Sequence, residues 1–159
     1  WMTISSMLFW ISTFDIGLGN GMRNYLTKAI SEKDLTLGRK YISTTLSLLS
    51  LIAITIGFLL LIPLFTINFN KFFNTFAISN VDLRNTLFVA LAFTLLNFVT
   101  KNIGLIFVAM QKYAINDLLS VLGNLLSLAI IFILTKTTSP NLLYVIFTYT
   151  ATQCFVYLF

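Results

Sequence analysis

Residues 41–70 read YISTTLSLLSLIAITIGFLLLIPLFTINFN, thirty positions without Asp, Glu, Lys or Arg. A helix of about 20 such residues crosses the ~30 Å hydrocarbon core of a bilayer. Working outward, residues 1–14 are also uncharged, as are 85–100 (16 residues), 118–135 (18) and 137–159 (23). Apolar residues make up 58% of the chain and charged ones 9%, where soluble domains carry about 25% charged residues. A soluble core built from these runs would need polar faces to cover it, and the runs do not supply them. The pattern predicts an all-α polytopic membrane helix bundle, a single membrane domain over 1–159 with spans at about 1–25, 41–66, 85–111, 116–135 and 141–159. The first and last runs reach the ends of the sequence inside apolar helix, so the expectation is a fragment of a longer chain. No basic stretch precedes Trp1, which argues against a secretory signal.

Chemistry in the enzymatic sense is sparsely represented. There is no His and one Cys, Cys154, so neither an internal disulfide nor a His/Cys metal site is expected, and no cofactor is implied. Of five carboxylates, the close pair Glu32 and Asp34 is spaced i, i+2 and points to different helix faces. Ser and Thr are plentiful without a His to activate them. The expectation is a protein that is not an enzyme and does not bind nucleic acid.

The punctuation suits the spans. Pro63 falls near the end of the second, where a missing helical N–H is least disruptive. Ser139-Pro140 reads as an N-cap followed by Pro at the first helical position, and Asp82 or Asn85 could cap the third. Connectors alternate sides of a membrane, and their cations are uneven. Arg23, Lys28, Lys33, Arg39 and Lys40 share the first connector with Lys112 in the third, while Lys71, Arg84 and Lys136 fall on the other side. Lys and Arg accumulate on the cytoplasmic side, which places 23–40 and Lys112 inside. In the outer connector, Phe69, Phe72, Phe73 and Phe76 follow an i, i+3, i+4, i+7 pattern that puts four rings on one helical face, suited to a membrane–water interface. The alternative is a loop whose rings pack back onto the protein.

Polar residues inside spans are costly in lipid and usually face a bundle interior. Asp15 precedes Arg23 by eight residues and Lys101 precedes Gln111 by ten, so each lies roughly 12–15 Å deep at 1.5 Å per residue. They are either part of a substrate or ion pathway or a structural pair between two helices. Thr94, Asn97, Lys101, Gly104 and Gln111 form one stripe, read as the wall of a water-accessible cavity. Asp117, Ser120, Asn124 and Ser127 form a second; Ser43, Ser47, Ser50 and Gly57 form a third, read as ordinary small-residue helix packing. Gly17, Gly19 and Gly21 are not a phosphate-cradling loop, since no strand precedes them. Three Gly in five helical positions point to local unwinding or very close helix contact.

Phe14-Asp15-Ile16-Gly17-Leu18-Gly19-Asn20-Gly21-Met22-Arg23-Asn24 closely resembles the second-helix motif of bacterial polysaccharide and O-antigen repeat-unit flippases of the Wzx type. These belong to the multidrug/oligosaccharidyl-lipid/polysaccharide exporter superfamily, with a MATE-like fold. Lys40-Tyr41-Ile42-Ser43-Thr44-Thr45 and Val121-Leu122-Gly123-Asn124-Leu125-Leu126-Ser127 are similar to the family too, and the resemblance extends over essentially the whole chain. The family pattern reads Gly-Leu-Arg-Asn-Lys-Leu where this chain has Gly21-Met22-Arg23-Asn24-Tyr25-Leu26, so a role held by that Lys in relatives has no counterpart at Tyr25.

The resemblance implies a twelve- or fourteen-helix transporter with two pseudo-symmetric lobes, this chain being most of the N-terminal one; with 23–40 inside, the first span runs out-to-in, so a cytoplasmic N-terminus needs one earlier span and these are expected to be helices two to six. It implies alternating-access flipping of undecaprenyl-diphosphate-linked oligosaccharide across the bacterial plasma (inner) membrane, with possible H⁺ or Na⁺ coupling and the polysaccharide polymerase and export machinery as partners. Arg23 and Lys101 are then the candidate diphosphate cations, Asp15 an ion site or their counter-ion, and Asn20, Asn97, Gln111 and Asn124 polar members of the pathway. Competing readings are a multidrug exporter of the same superfamily, which would favour an acidic, aromatic cavity, and a non-transporting membrane scaffold, which leaves the mid-membrane charges unexplained.

Overall fold

The computed structural model describes residues 6, 9–11, 15, 17–72, 79–137 and 142–158. Among these there are helices and turns and no strand. In chain order the helices are α1 (Leu18–Ser31), α2 (Leu35–Thr66), the short α3 (Phe69–Phe72), α4 (Asn80–Ala109), α5 (Tyr113–Thr137) and α6 (Leu142–Leu158). Three of them, α2, α4 and α5, are long and apolar enough to cross a membrane; α6 is a shorter apolar helix. At 32 residues, α2 is about 48 Å long, so its basic first turns extend beyond a ~30 Å hydrocarbon core.

The register of contacts gives an up-and-down order. Leu49 and Ala53 pack on Phe98 and Leu64 on Leu83, so α2 runs antiparallel to α4. Gly19 meets Asn102, and the Thr27 hydroxyl reaches the Ala109 carbonyl (3.4 Å), so α1 runs parallel to α4. Phe93 lies edge-on to Phe147, with ring centres 5.2 Å apart, and Gly104 faces Tyr157, so α6 is parallel to α4 as well. The α5–α6 pairing is antiparallel: Gln153 Nε2 donates to Asn124 Oδ1 at 2.7 Å, and Tyr157 pairs with Ser120. Helix α4 is the centre: α1 and α2 lie on one side, α5 and α6 on the other, and α1 does not touch α6 among the described residues.

Sharp turns join the helices at one end. After α1, Asp34 N–H returns to Ala29 O (2.9 Å) and Lys33 N–H to Ile30 O (3.1 Å). After α4, Lys112 N–H returns to Phe107 O (2.8 Å) and Gln111 N–H to Val108 O (2.9 Å). Both are Schellman closures, which satisfy orphan carbonyls by placing one residue in the left-handed region. That residue is Lys33 (φ 59°) in one turn and Gln111 (φ 61°) in the other. The Thr27–Ala109 contact brings the two turns to the same end of the bundle, and with them Arg23, Lys28, Lys33, Arg39, Lys40 and Lys112. Tyr25 and Tyr41 stack there, centres 5.3 Å apart. At the other end, Phe69 is buried with Leu64 and Leu83, and its N–H donates to Asn80 Oδ1 at 2.9 Å.

Three expectations change in detail. The span expected at 1–25 is interrupted: Asp15 and Gly17 are turns, and α1 starts at Leu18 and continues to Ser31. Gly17 is the N-cap at φ 77°, a conformation open to Gly because it lacks a Cβ. The cap of α4 is Ser79, whose hydroxyl accepts from Asp82 N–H at 3.1 Å. Asp82 instead adds negative charge to the first turn, where the helix dipole favours it, and Asn85 is exposed within the helix. Of the four-Phe face, Phe69 packs inward against Leu64 and Leu83 and Phe72 is exposed; Phe73 and Phe76 lie outside the described residues, as do Ser139 and Pro140.

The outward surface is apolar. Leu51, Phe58, Leu59, Leu128 and Phe132 are each more than 60% exposed, a continuous display that water-soluble monomers do not sustain and a bilayer accommodates. The packed seams are thin by comparison: Leu49, Ala53 and Phe98 form the main cluster, with Leu18, Ile52, Leu95 and Val99 against it.

Candidate functional site

Because α4 touches α1 on one side and α6 on the other, its residues sort by helical phase. Asn97 Nδ2 donates to the Thr150 carbonyl on α6 at 2.9 Å, and the Thr100 hydroxyl lies 3.9 Å from Cys154 Sγ. Phe98 packs with Leu18 and α2, while Asn102 and Leu105 press on Gly19 of α1. Lys101 lies in phase between these two sets, as does Thr94 one pair of turns away. The Lys101 side chain therefore leaves α4 between the faces that meet α1 and α6, half-buried, with its ammonium 5.5 Å from the Phe98 ring centre. Lys101 is eight residues from the end of α4, roughly 12 Å along the helix.

Asp15 belongs to the same place. It sits at the break before α1, half-buried, and its charge acts on Lys101. Its Oδ1 accepts the Gly19 N–H at 3.2 Å, and its backbone carbonyl accepts the Leu18 N–H at 2.9 Å. The carboxylate thus covers two needs of an interrupted membrane helix, satisfying an orphan N–H and placing negative charge at a positive dipole end.

The three glycines differ. Gly17 supplies the left-handed cap. Gly19 is buried, and a Cβ there would overlap Asn102 Oδ1 and come within 2.7 Å of Leu105. Gly21 is in regular helix, its N–H bonded to Gly17 O at 2.8 Å, with open space where a side chain would project.

Other expected site residues are spread out. Arg23 is half-buried two turns along α1 from Asp15, its guanidinium 3.5 Å from Asn24 Oδ1, and Asn20 is exposed. Gln111 is not on the α4 stripe, because the helix ends at Ala109 and Gln111 occupies the left-handed turn position. Asn97 and Asn124 are engaged in holding α6, one through the Thr150 carbonyl and one through Gln153. The Ser43, Ser47 and Ser50 stripe borders an outward groove of about 680 Å³ on α2. A neighbouring apolar groove of about 490 Å³ runs between α2 and α4, lined by Ala53, Gly57, Leu95 and Val99 among others; it lies on the face of α4 opposite Lys101.

Sequence reasoning passed over Asn102, which is fully buried against α1. Its Nδ2 donates to the Phe98 carbonyl at 2.9 Å. A polar residue beside Lys101 inside a span was the available signal, but Asn102 is one position off the stripe and so faces about 100° away. Gln153 and Asn116 were missed likewise; Asn116 faces Gly104, where a Cβ would overlap its Oδ1. No protein-family model matches the chain, and comparison with curated proteins and with solved structures finds no match.

Proposed function

We propose that this chain is part of a membrane transporter that flips an anionic, lipid-linked oligosaccharide across a bacterial plasma membrane by alternating access. One observation supports the reading: Lys101, a cation roughly mid-membrane, is half-buried on the face of α4 between its α1 and α6 contacts and feels the charge of Asp15 at a broken helix. A cation at that depth costs about 2.5–3.5 kcal/mol on translocon scales, which favours a position that meets water or an anionic ligand. Interrupted helices beside charged groups are a frequent construction of transport sites, and the resemblance of residues 14–24 to the flippase motif supplies the substrate class. In this reading Lys101 binds the diphosphate, Arg23 attracts it from the basic end, and Asp15 holds Lys101 in place when the site is empty. The basic end faces the cytoplasm, where such lipids are assembled.

The test compares Lys101→Ala, Lys101→Arg, Asp15→Asn and the Lys101→Ala/Asp15→Asn double variant in the full-length protein at matched expression, in a flippase-deficient strain. Export of surface polysaccharide should fall at least about tenfold for Lys101→Ala, the factor that ~1.4 kcal/mol represents, whether or not Asp15 is neutralised. Lys101→Arg should retain partial export. Recovery in the double variant would make the pair purely structural, since removing both halves of a buried ion pair is often tolerated where removing one is not.

A further inference from the structure

We infer that Asn102 is the second acceptor for the Gly19 N–H, so that the first turn of α1 can transfer this hydrogen bond from Asp15 to Asn102 and release the Asp15 carboxylate. The inference rests on the transport reading only for its purpose. The geometry stands apart from it. Asn102 Oδ1 is buried and has no hydrogen-bond partner, although the same amide is anchored through Nδ2 to Phe98 O at 2.9 Å. Buried acceptors are nearly always paired, so an orphaned one needs a reason. Oδ1 is pressed against Gly19, in the space a Cβ would fill. The Gly19 N–H meanwhile donates to Asp15 Oδ1 at 3.2 Å, a long bond for a charged acceptor. The Gly19 N–H is thus bonded to Asp15 in the turn before α1, while the unpaired Oδ1 of Asn102 on α4 lies beside the same residue.

The surroundings allow the exchange. Gly17, at φ 77°, is a backbone joint with nothing near its Cβ position, and the Cβ position of Gly21 is open as well. The transfer calls for a rotation of the Leu18–Gly21 turn about Gly17, with Leu105 as the side chain besides Asn102 that Gly19 meets. The two arrangements differ in what Asp15 does. Bonded to Gly19, the carboxylate is held at the helix start; released, it is free to move toward the Lys101 ammonium, whose charge it already feels. Asn102 thereby acts as a positioning residue that sets how strongly Asp15 occupies Lys101, and hence how available Lys101 is to an anion.

Amide hydrogen exchange at Gly19, in the full-length protein in bilayer nanodiscs, reads the turn directly. If either acceptor suffices, Asp15→Ala keeps Gly19 protected to within about threefold, and Asn102→Leu does the same, while the double variant exchanges at least about tenfold faster. Additive effects of the two substitutions, or loss of protection in Asp15→Ala alone, would overturn the proposal. If Asn102→Leu does not reach the membrane, the Asp15→Ala protection decides by itself. Asp15→Ala/Asn102→Asp, which keeps an oxygen at position 102, should stay protected where Asp15→Ala/Asn102→Leu does not; equal exchange in the two counts against the transfer. No substrate enters this measurement, so its failure leaves the transport reading to the export comparison above.

Discussion

At the scale of single residues, several positions are held in conformations that side chains resist. Lys33 and Gln111 occupy left-handed turn positions, which cost a non-Gly residue about 1 kcal/mol. Lys33→Gly and Gln111→Gly should each raise stability by up to ~1 kcal/mol, read as a higher thermal midpoint in detergent; a fall would contradict the Schellman assignment. Gly19→Ala should destabilise the fold and Gly21→Ala should not, since only Gly19 faces a neighbour that a methyl group would strike. Asp34 offers a pH signature. The Thr36 hydroxyl (2.6 Å) and then the Leu37 N–H (2.9 Å) hold its carboxyl below the usual 3.8. A carboxyl lowered on folding contributes stability in full above its unfolded value and loses it as pH falls through the folded one. The difference in thermal midpoint between wild type and Asp34→Ala should therefore be constant near neutrality and shrink below about pH 4. Asp15 and Lys101 were legible in the sequence because charges are rare in spans. Asn102 was not, because its meaning depends on which helix its face meets, and sequence periodicity does not say.

Elements were easier to recognise than their ends. Long uncharged runs mark α2, α4 and α5 because a bilayer requires unbroken apolar helix. Ends are set by individual hydrogen bonds: Ser79 caps α4 although Asp82 and Asn85 are equally suitable residue types. The glycine cluster signalled unwinding near residue 17 but not its form, which depends on Asp15 bonding the turn that follows. Between elements, the α5–α6 seam rests on Asn124 and Gln153 at 2.7 Å. Hydrogen bonds between membrane helices average about 0.6 kcal/mol in double-mutant cycles. A cycle of Asn124→Ala and Gln153→Ala should return a coupling of that order, and additivity would show that the bond contributes nothing measurable.

At the scale of the whole molecule, the bundle has a basic end and a less basic one, and the turns at Lys33 and Gln111 share the basic end through the Thr27–Ala109 contact. Thr36→Cys and Lys112→Cys should be labelled from the cytoplasm, and Ser79→Cys from the opposite side; labelling of Thr36 and Lys112 from different sides would break the topology. The central claim is that Lys101 faces a water-filled cleft on one side of α4. It is tested most directly by Lys101→Cys in a full-length Cys154→Ala protein, with Leu51→Cys on the outer face of α2 as the comparison, since Leu51 is 62% exposed two residues from the Leu49 that packs on Phe98. A membrane-impermeant, water-soluble thiosulfonate should modify Lys101→Cys at least about tenfold faster than Leu51→Cys, because thiols react as thiolates and these form in water rather than in lipid. An undecaprenyl-diphosphate-linked saccharide should slow that modification. Equal, negligible modification at both positions would mean that Lys101 has no aqueous cleft, and would contradict the account.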